Sequence, residues 1–278
     1  MQQCRPFSYI LAGLGLLVQV ARGFQALGIG PTNRPVGSPY SRPQASYRTL
    51  SYPGYERCQY GVNVPNIIRG QLTNVEDLMG IWYGALAYPD YAVITENYQT
   101  EFVSYGKTHL PGTNTPAYAV SRTESYFNVT STSITGCIDS FAATYVTVDG
   151  RQIGTAYVLG TDPADPTSYI VVSTELIIVY TDYGTMCLIY QCGQRNEDSG
   201  HCDSPLFYVL TKTRPDQLTR KTKEYIDTVI NGELRPYCIR ATDFTELTWN
   251  TAHAACPAAT APDCYIQLMD SIKDTVTY

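Results

Sequence analysis

Residues 206–232 read LFYVLTKTRPDQLTRKTKEYIDTVING, and the period of the apolar residues changes inside this stretch from that of a strand to that of a helix. Its first seven residues, Leu206–Lys212, form a β-type run that places Leu206, Tyr208 and Leu210 on one face. From Asp216 to Ile230 the pattern turns helical, with Leu218, Tyr225, Ile226 and Val229 on one face and the charges on the other. Pro215 suits the first helical turn, and Asn231-Gly232 suits a left-handed stop. From Glu101 up to this point the chain consists of short β-type runs divided by turn residues. Examples are Tyr118–Val120, Ser125–Thr130, Phe141–Val148, Thr155–Leu159, Tyr169–Ser173, Leu176–Tyr180 and Met186–Gln191. Asp149-Gly150 is a hairpin signal between two of them. A weaker amphipathic run, Tyr265 to Val276, closes the chain. Many strands followed by one late helix predict a mainly β protein, an antiparallel sandwich or a barrel with the helix packed outside.

Composition agrees with a folded β protein. Of 278 residues, 44% are hydrophobic and only 16% charged, which excludes a wholly disordered chain. Nineteen Lys plus Arg against 25 Asp plus Glu leave a net charge of −6, without the basic footprint of a general nucleic-acid binder. Tyr outnumbers Phe 24 to 7. A buried tyrosine needs a hydrogen-bond partner at the far end of its ring, so the excess suits sheets with wet edges or a polar-tipped pocket.

The first 23 residues have the form of an export signal. Arg5 supplies a positive start, Phe7–Val20 carries no charge, and Ala21 and Gly23 form a small-residue cleavage site before Phe24. The apolar run is too short to cross a bilayer, and no later run is long enough, so a secreted chain with no membrane span is expected. Cleavage removes Cys4 and leaves eight cysteines: Cys58, Cys137, Cys187, Cys192, Cys202, Cys238, Cys256 and Cys264. In an oxidising compartment these read as up to four disulfides, in any of about 105 pairings. A zinc site is disfavoured because there is no CxxC pair, and no metal is expected. Asn128-Val129-Thr130 is an open glycosylation sequon.

Residues 24–57 form an extended linker. Within it, residues 31–57 hold five prolines, four tyrosines and four arginines against one acid, Glu56. Proline fixes φ and removes donors, so the stretch reads as polyproline-like rather than packed. A solvated linker is the plain reading; a basic tether toward an extracellular matrix partner is the other.

Three motifs, in order, resemble the lipocalins, most closely the apolipoprotein D and invertebrate bilin-binding branch. The first is Val75-Glu76-Asp77-Leu78-Met79-Gly80-Ile81-Trp82-Tyr83, similar to the GxW signature of the first barrel strand. The second is Thr181-Asp182-Tyr183 with Cys187-Leu188-Ile189-Tyr190-Gln191-Cys192 after it. The third is Phe207–Pro215, which looks like the last strand running into the C-terminal helix. The resemblance covers about residues 58–232. It implies an eight-stranded up-and-down antiparallel β-barrel over residues 58–240 with the C-terminal helix outside, and a Cys-containing extension over 241–278. It also implies that Gly80 and Trp82 close one end and that a cation of the last strand stacks on Trp82. Register puts Lys212 where the family has arginine, with Arg214 two residues on as the other candidate. The resemblance further implies a disulfide from Cys58 to Cys192, leaving Cys137 and Cys238 as a second bridge.

No catalytic constellation stands out: there is no GxSxG elbow, HExxH or P-loop, and His109, His201 and His253 sit among turn or small residues. A non-enzyme is therefore expected. The resemblance implies no cofactor but a small hydrophobic ligand of the pigment, retinoid, sterol or fatty-acid kind. Tyr98, Phe102, Tyr190 and Tyr208 are the candidates to line its cavity, each offering a ring and, for tyrosine, a hydroxyl. The alternative is a Tyr-rich matrix or structural protein built on the same barrel, with side chains filling the space.

Overall fold

Alternation along the strands builds the architecture. Val120, Arg122, Glu124 and Tyr126 fall on one face of a single strand, and their neighbours on the other. The computed structural model describes residues 63–89, 95–130, 133–160, 168–252, 256 and 258–277. The expected leader and linker, and Cys58, lie outside them.

Seven strands follow in order: β1 (Gly80–Tyr88), β2 (Thr95–His109), β3 (Pro116–Thr130), β4 (Ser133–Thr147), β5 (Arg151–Leu159), β6 (Tyr169–Thr181) and β7 (Met186–Cys192). A small hairpin, β8 (Arg195–Asn196) and β9 (His201–Cys202), leads to β10 (Pro205–Thr211). Each large strand pairs antiparallel with the next, and β10 pairs with both β7 and β1. The sheet thus closes into an eight-stranded up-and-down barrel with no free edge among these strands. Runs expected as separate strands merge: Tyr118–Val120 and Ser125–Thr130 are both β3, and Tyr169–Ser173 and Leu176–Tyr180 are both β6. The polar residues between them continue the alternation of a single strand instead of marking a turn.

Helix α1 (Arg220–Glu233) packs on the outside, as the amphipathic pattern predicts. Ile226 and Ile230 bury against Met186, Leu188, Phe207 and Val209 on the outer face of β7 and β10. Its start differs from expectation. Pro215–Gln217 is a separate 3-10 turn, and Thr219 caps α1 by accepting a hydrogen bond from the Thr222 amide at 3.2 Å. Its end differs too, since Asn231 and Gly232 stay helical and the left-handed residue is Cys238, after the 3-10 turn Arg235–Tyr237. The chain then adds the short strand β11 (Thr245–Glu246), paired with β1, and helix α2 (Asp263–Lys273), whose Tyr265, Met269 and Ile272 cover the outer face of β3 and β4.

The disulfides correct the expected pairings. Cys192 bonds to Cys202, not Cys58, with Cα atoms 5.7 Å apart. The β8–β9 hairpin sets Arg195 opposite Cys202 and so folds Cys202 back beside the end of β7. Cys137 bonds to Cys256, not Cys238, also at 5.7 Å, because the chain after β11 passes the end of β4. Cys238 and Cys264 are disulfide-bonded as well. Cys187 is a buried free thiol, so the eight cysteines expected to pair do not all do so. Burial pushes its pKa up, which keeps it protonated and unreactive.

Candidate functional site: the barrel interior

The closed end is built from the GxW segment. Val75 and the 3-10 turn Glu76–Leu78 cross the barrel floor, and Trp82 lies wholly buried above them with Leu78, Val120, Val146, Ile178 and Leu210. The Trp82 indole N–H donates to the Leu78 carbonyl at 2.7 Å. Lys212, not Arg214, stacks on the Trp82 ring, its Nζ 4.0 Å from the centroid and donating to the Met79 carbonyl at 2.8 Å. Burial lowers the Lys212 pKa. Gly80 beside it holds a φ of +95°, a conformation that residues with a side chain rarely adopt. Arg214 instead covers Trp249 at 5.4 Å and pairs with Asp216 at 3.3 Å.

Above that apolar floor the interior turns polar. Arg122 and Glu124 project inward from β3 at 4% and 8% exposure, the Arg122 Nε 3.5 Å from Glu124 Oε1. That contact is ionic but lacks hydrogen-bond geometry, and the Arg122 Nε–H is left without an acceptor. The Tyr98 hydroxyl donates to the same Glu124 oxygen, and the Tyr98 ring stacks on Tyr126 at 5.8 Å between centroids. Burial, reinforced by Glu124, raises the hydroxyl pKa of both tyrosines, so both stay protonated donors. The hydroxyls of Tyr126, Thr100 and Ser140 are buried with no hydrogen-bond partner among the described residues. A cavity of about 30 Å³ runs between Tyr98, Phe102, Arg122, Tyr126, Ile189 and Tyr208. That is room for a few waters at most, well short of the several hundred Å³ of a typical ligand pocket.

Of the expected lining residues, Tyr98, Phe102 and Tyr208 face this cavity. Tyr190 does not. It points outward into the core beneath α1, 5.0 Å from the Phe207 ring, with its hydroxyl donating to the Pro65 carbonyl. Adjacent strand residues alternate faces, and it is Ile189 and Gln191 of β7 that turn inward. Sequence reasoning missed Arg122, Glu124, Tyr126 and Thr100. Alternation over 120–126 was the available signal, but two charges on that face make it read as the solvent side. Asn128 lies on β3, opposite Gly136 of β4. Among the described residues no cluster of three or more His, Cys, Asp or Glu is placed to hold a metal, and no helix is long and apolar enough to cross a membrane.

No family model matches the chain, and neither does any curated protein. Solved structures do align with it. Insecticyanin from the tobacco hornworm Manduca sexta is 20% identical over 74% of this chain and 90% of its own, with a TM-score of 0.45. Apocrustacyanin C1 is 15% identical over 69% and 93%, at 0.42. The amine-binding protein of Rhodnius prolixus, in its tryptamine complex, is 9% identical over 77% and 97%, at 0.42. These are lipocalin-family proteins. At such identities and scores, the closed eight-stranded barrel rests on this chain's own strand pairings.

Proposed function

We infer that this chain is a secreted, non-enzymatic carrier, lipocalin-like and nearest in its motifs to the apolipoprotein D and bilin-binding branch, that holds a small amphipathic molecule inside its barrel. The observation that carries this reading is the polar layer. A barrel filled only for stability gains nothing from burying an ion pair and three unpartnered hydroxyls, each of which costs free energy. A ligand with an apolar body and a hydroxyl, carbonyl or carboxyl end would satisfy both regions, the body on the floor near Phe102 and the polar end at Arg122 and Tyr126. About 25 cal/mol per Å² of apolar ligand surface buried would drive uptake. Since the cavity is about 30 Å³, the ligand makes its room by moving Tyr98 and its neighbours.

The nearly filled interior favours a second reading, a structural or matrix protein on the same barrel, with residues 31–57 as its attachment. Titrating the purified protein with fatty acids, sterols and retinoids of matched size, followed by quenching of tryptophan emission, separates the two. The carrier reading expects saturable binding that Tyr126→Phe and Arg122→Met weaken at least tenfold. Full indifference to every ligand favours the structural role. Secretion is checked by N-terminal sequencing of exported protein, which should begin at Phe24, and glycosylation by a mass shift at Asn128 on deglycosylation.

A further inference from the structure

The β1–β2 ladder does not run the full length of the barrel. It stops at Tyr83–Gln99, beyond which β1 pairs with β11 instead of β2. The segment Thr245–Asn250 fills the opening. On one side the Leu247 amide donates to the Ala85 carbonyl at 2.8 Å. On the other, the Asn97 amide donates to the Thr248 carbonyl at 3.0 Å, and the Asn97 side chain exchanges hydrogen bonds with the Asn250 main chain at 3.1 and 2.6 Å. Part of the barrel wall is therefore supplied by the C-terminal extension.

Glu246 and Leu247 take opposite faces of this segment. Glu246 faces outward to Lys223 of α1 at 2.8 Å, so Leu247 faces in. It is 6% exposed and packs against Ala87 and Tyr208. Gly84 shows how tightly Leu247 and Tyr98 meet: a Cβ there would lie 2.9 Å from Leu247 and 2.8 Å from Tyr98. Trp249 anchors the outer side, edge-on to Tyr83 at 5.2 Å and beneath the Arg214 guanidinium. Leu247 thus stands between solvent and two residues that line the cavity.

We propose that Thr245–Asn250 is a gate strand, which leaves the β1–β2 seam while the barrel stays folded and so opens the way to the interior. This rests on the carrier reading and names how its site is reached. The hold is short: the ladder with β1 covers two residues, and Asn97 meets the segment in a left-handed conformation, φ +54°, that asparagine tolerates at some cost. A short ladder with few contacts opens locally at a lower free energy than a long one. The segment is also tethered on both sides, by the Ala241 amide donating to the Asn231 side chain at 3.0 Å and by Cys137–Cys256. It can swing out and return without being lost.

Two measurements on the full chain test this. In native-state hydrogen exchange the Asn97 and Leu247 amides should exchange at least tenfold faster than those of Leu188 and Ile189 in β7. Equal protection, meaning that the seam opens only with the whole barrel, overturns the proposal. In the second, Leu86→Cys with Glu246→Cys, which lie opposite each other on the outer side, locks the strand shut, peptide mapping confirming the bond. With 8-anilinonaphthalene-1-sulfonate as the probe, uptake by the locked form should be at least tenfold slower than by a Leu86→Ser/Glu246→Ser control, both forms showing the wild-type circular dichroism spectrum. Uptake at the same rate overturns the gate. If neither wild type nor the serine control takes up the probe, the carrier reading fails, and exchange alone decides whether the strand opens.

Discussion

Trp82 is the residue on which the closed end depends. It is fully buried, hydrogen-bonded through its ring nitrogen and covered by Lys212, so truncation removes packing from every side. Trp82→Ala should cost about 3–5 kcal/mol in chemical denaturation. Unchanged stability with lost ligand binding would place Trp82 in the site rather than the floor. The Arg122–Glu124 pair predicts a different signature. Arg122→Met alone strands a buried carboxylate and should cost about 3–5 kcal/mol, whereas Arg122→Met with Glu124→Gln should recover part of that loss. A double-mutant cycle showing simple additivity would mean that the two do not act as a pair. Asp182 carries the pH dependence. Its Oδ1 accepts from the amides of Gly184, Thr185 and Met186 at 3.1, 2.7 and 2.9 Å. Partial burial works to raise its pKa, but these hydrogen bonds outweigh burial and the net shift is downward. A lowered carboxylate pKa stabilises the fold fully above the unfolded value of about 3.9 and loses that contribution as pH falls through the folded one. Asp182→Asn should therefore be less stable than wild type near pH 6, with the gap closing toward pH 2. A gap that persists there would show that the charge is irrelevant. Trp82 and Gly80 could be singled out from the sequence because they stand in one short motif, whereas the amides gathered by Asp182 could not be read from it. Nor could the polar layer, because inward charges break the apolar alternation by which a strand's buried face is recognised.

Among the elements, α1 was legible from its apolar face and β10 from the unbroken run before it, while the true lengths of β2, β3 and β4 were hidden. Each spans 15 residues, and buried Ser, Thr, Arg and Glu within them look like turns when read locally. The disulfides were hidden for another reason: pairing depends on where loops return, which local sequence does not encode. The Cys192–Cys202 bridge closes a span of 10 residues and Cys137–Cys256 one of 119. The loop-closure model gives about 3 and about 5 kcal/mol respectively. Replacing Cys137 and Cys256 by serine should thus lower the denaturation midpoint more than replacing Cys192 and Cys202. The reverse order would indicate that Cys192–Cys202 holds native geometry beyond its entropic share. The role of Thr245–Glu246 as barrel wall was also out of reach of the sequence, since two residues carry no periodicity to read.

At the scale of the whole molecule, the barrel joins an apolar floor to a polar layer and closes its wall with a segment from beyond the helix. Closure pairs each of the eight large strands on both sides, with β11 completing the wall beside β1. The expected barrel with an outer helix is what the chain forms, and the resemblance that suggested it came from three segments at the closed end and the last strand. What sets this interior apart, the ion pair and the free hydroxyls, comes from β2, β3 and β4, between those segments. A carrier of this build holds a small amphipathic molecule in its interior. Native mass spectrometry of the protein purified from its source tests this most directly. The carrier account predicts a mass excess of one small molecule, lost on denaturation and absent from an Arg122→Met variant that still folds. A native mass equal to that of the polypeptide with its covalent modifications, and unchanged by denaturation, would contradict it.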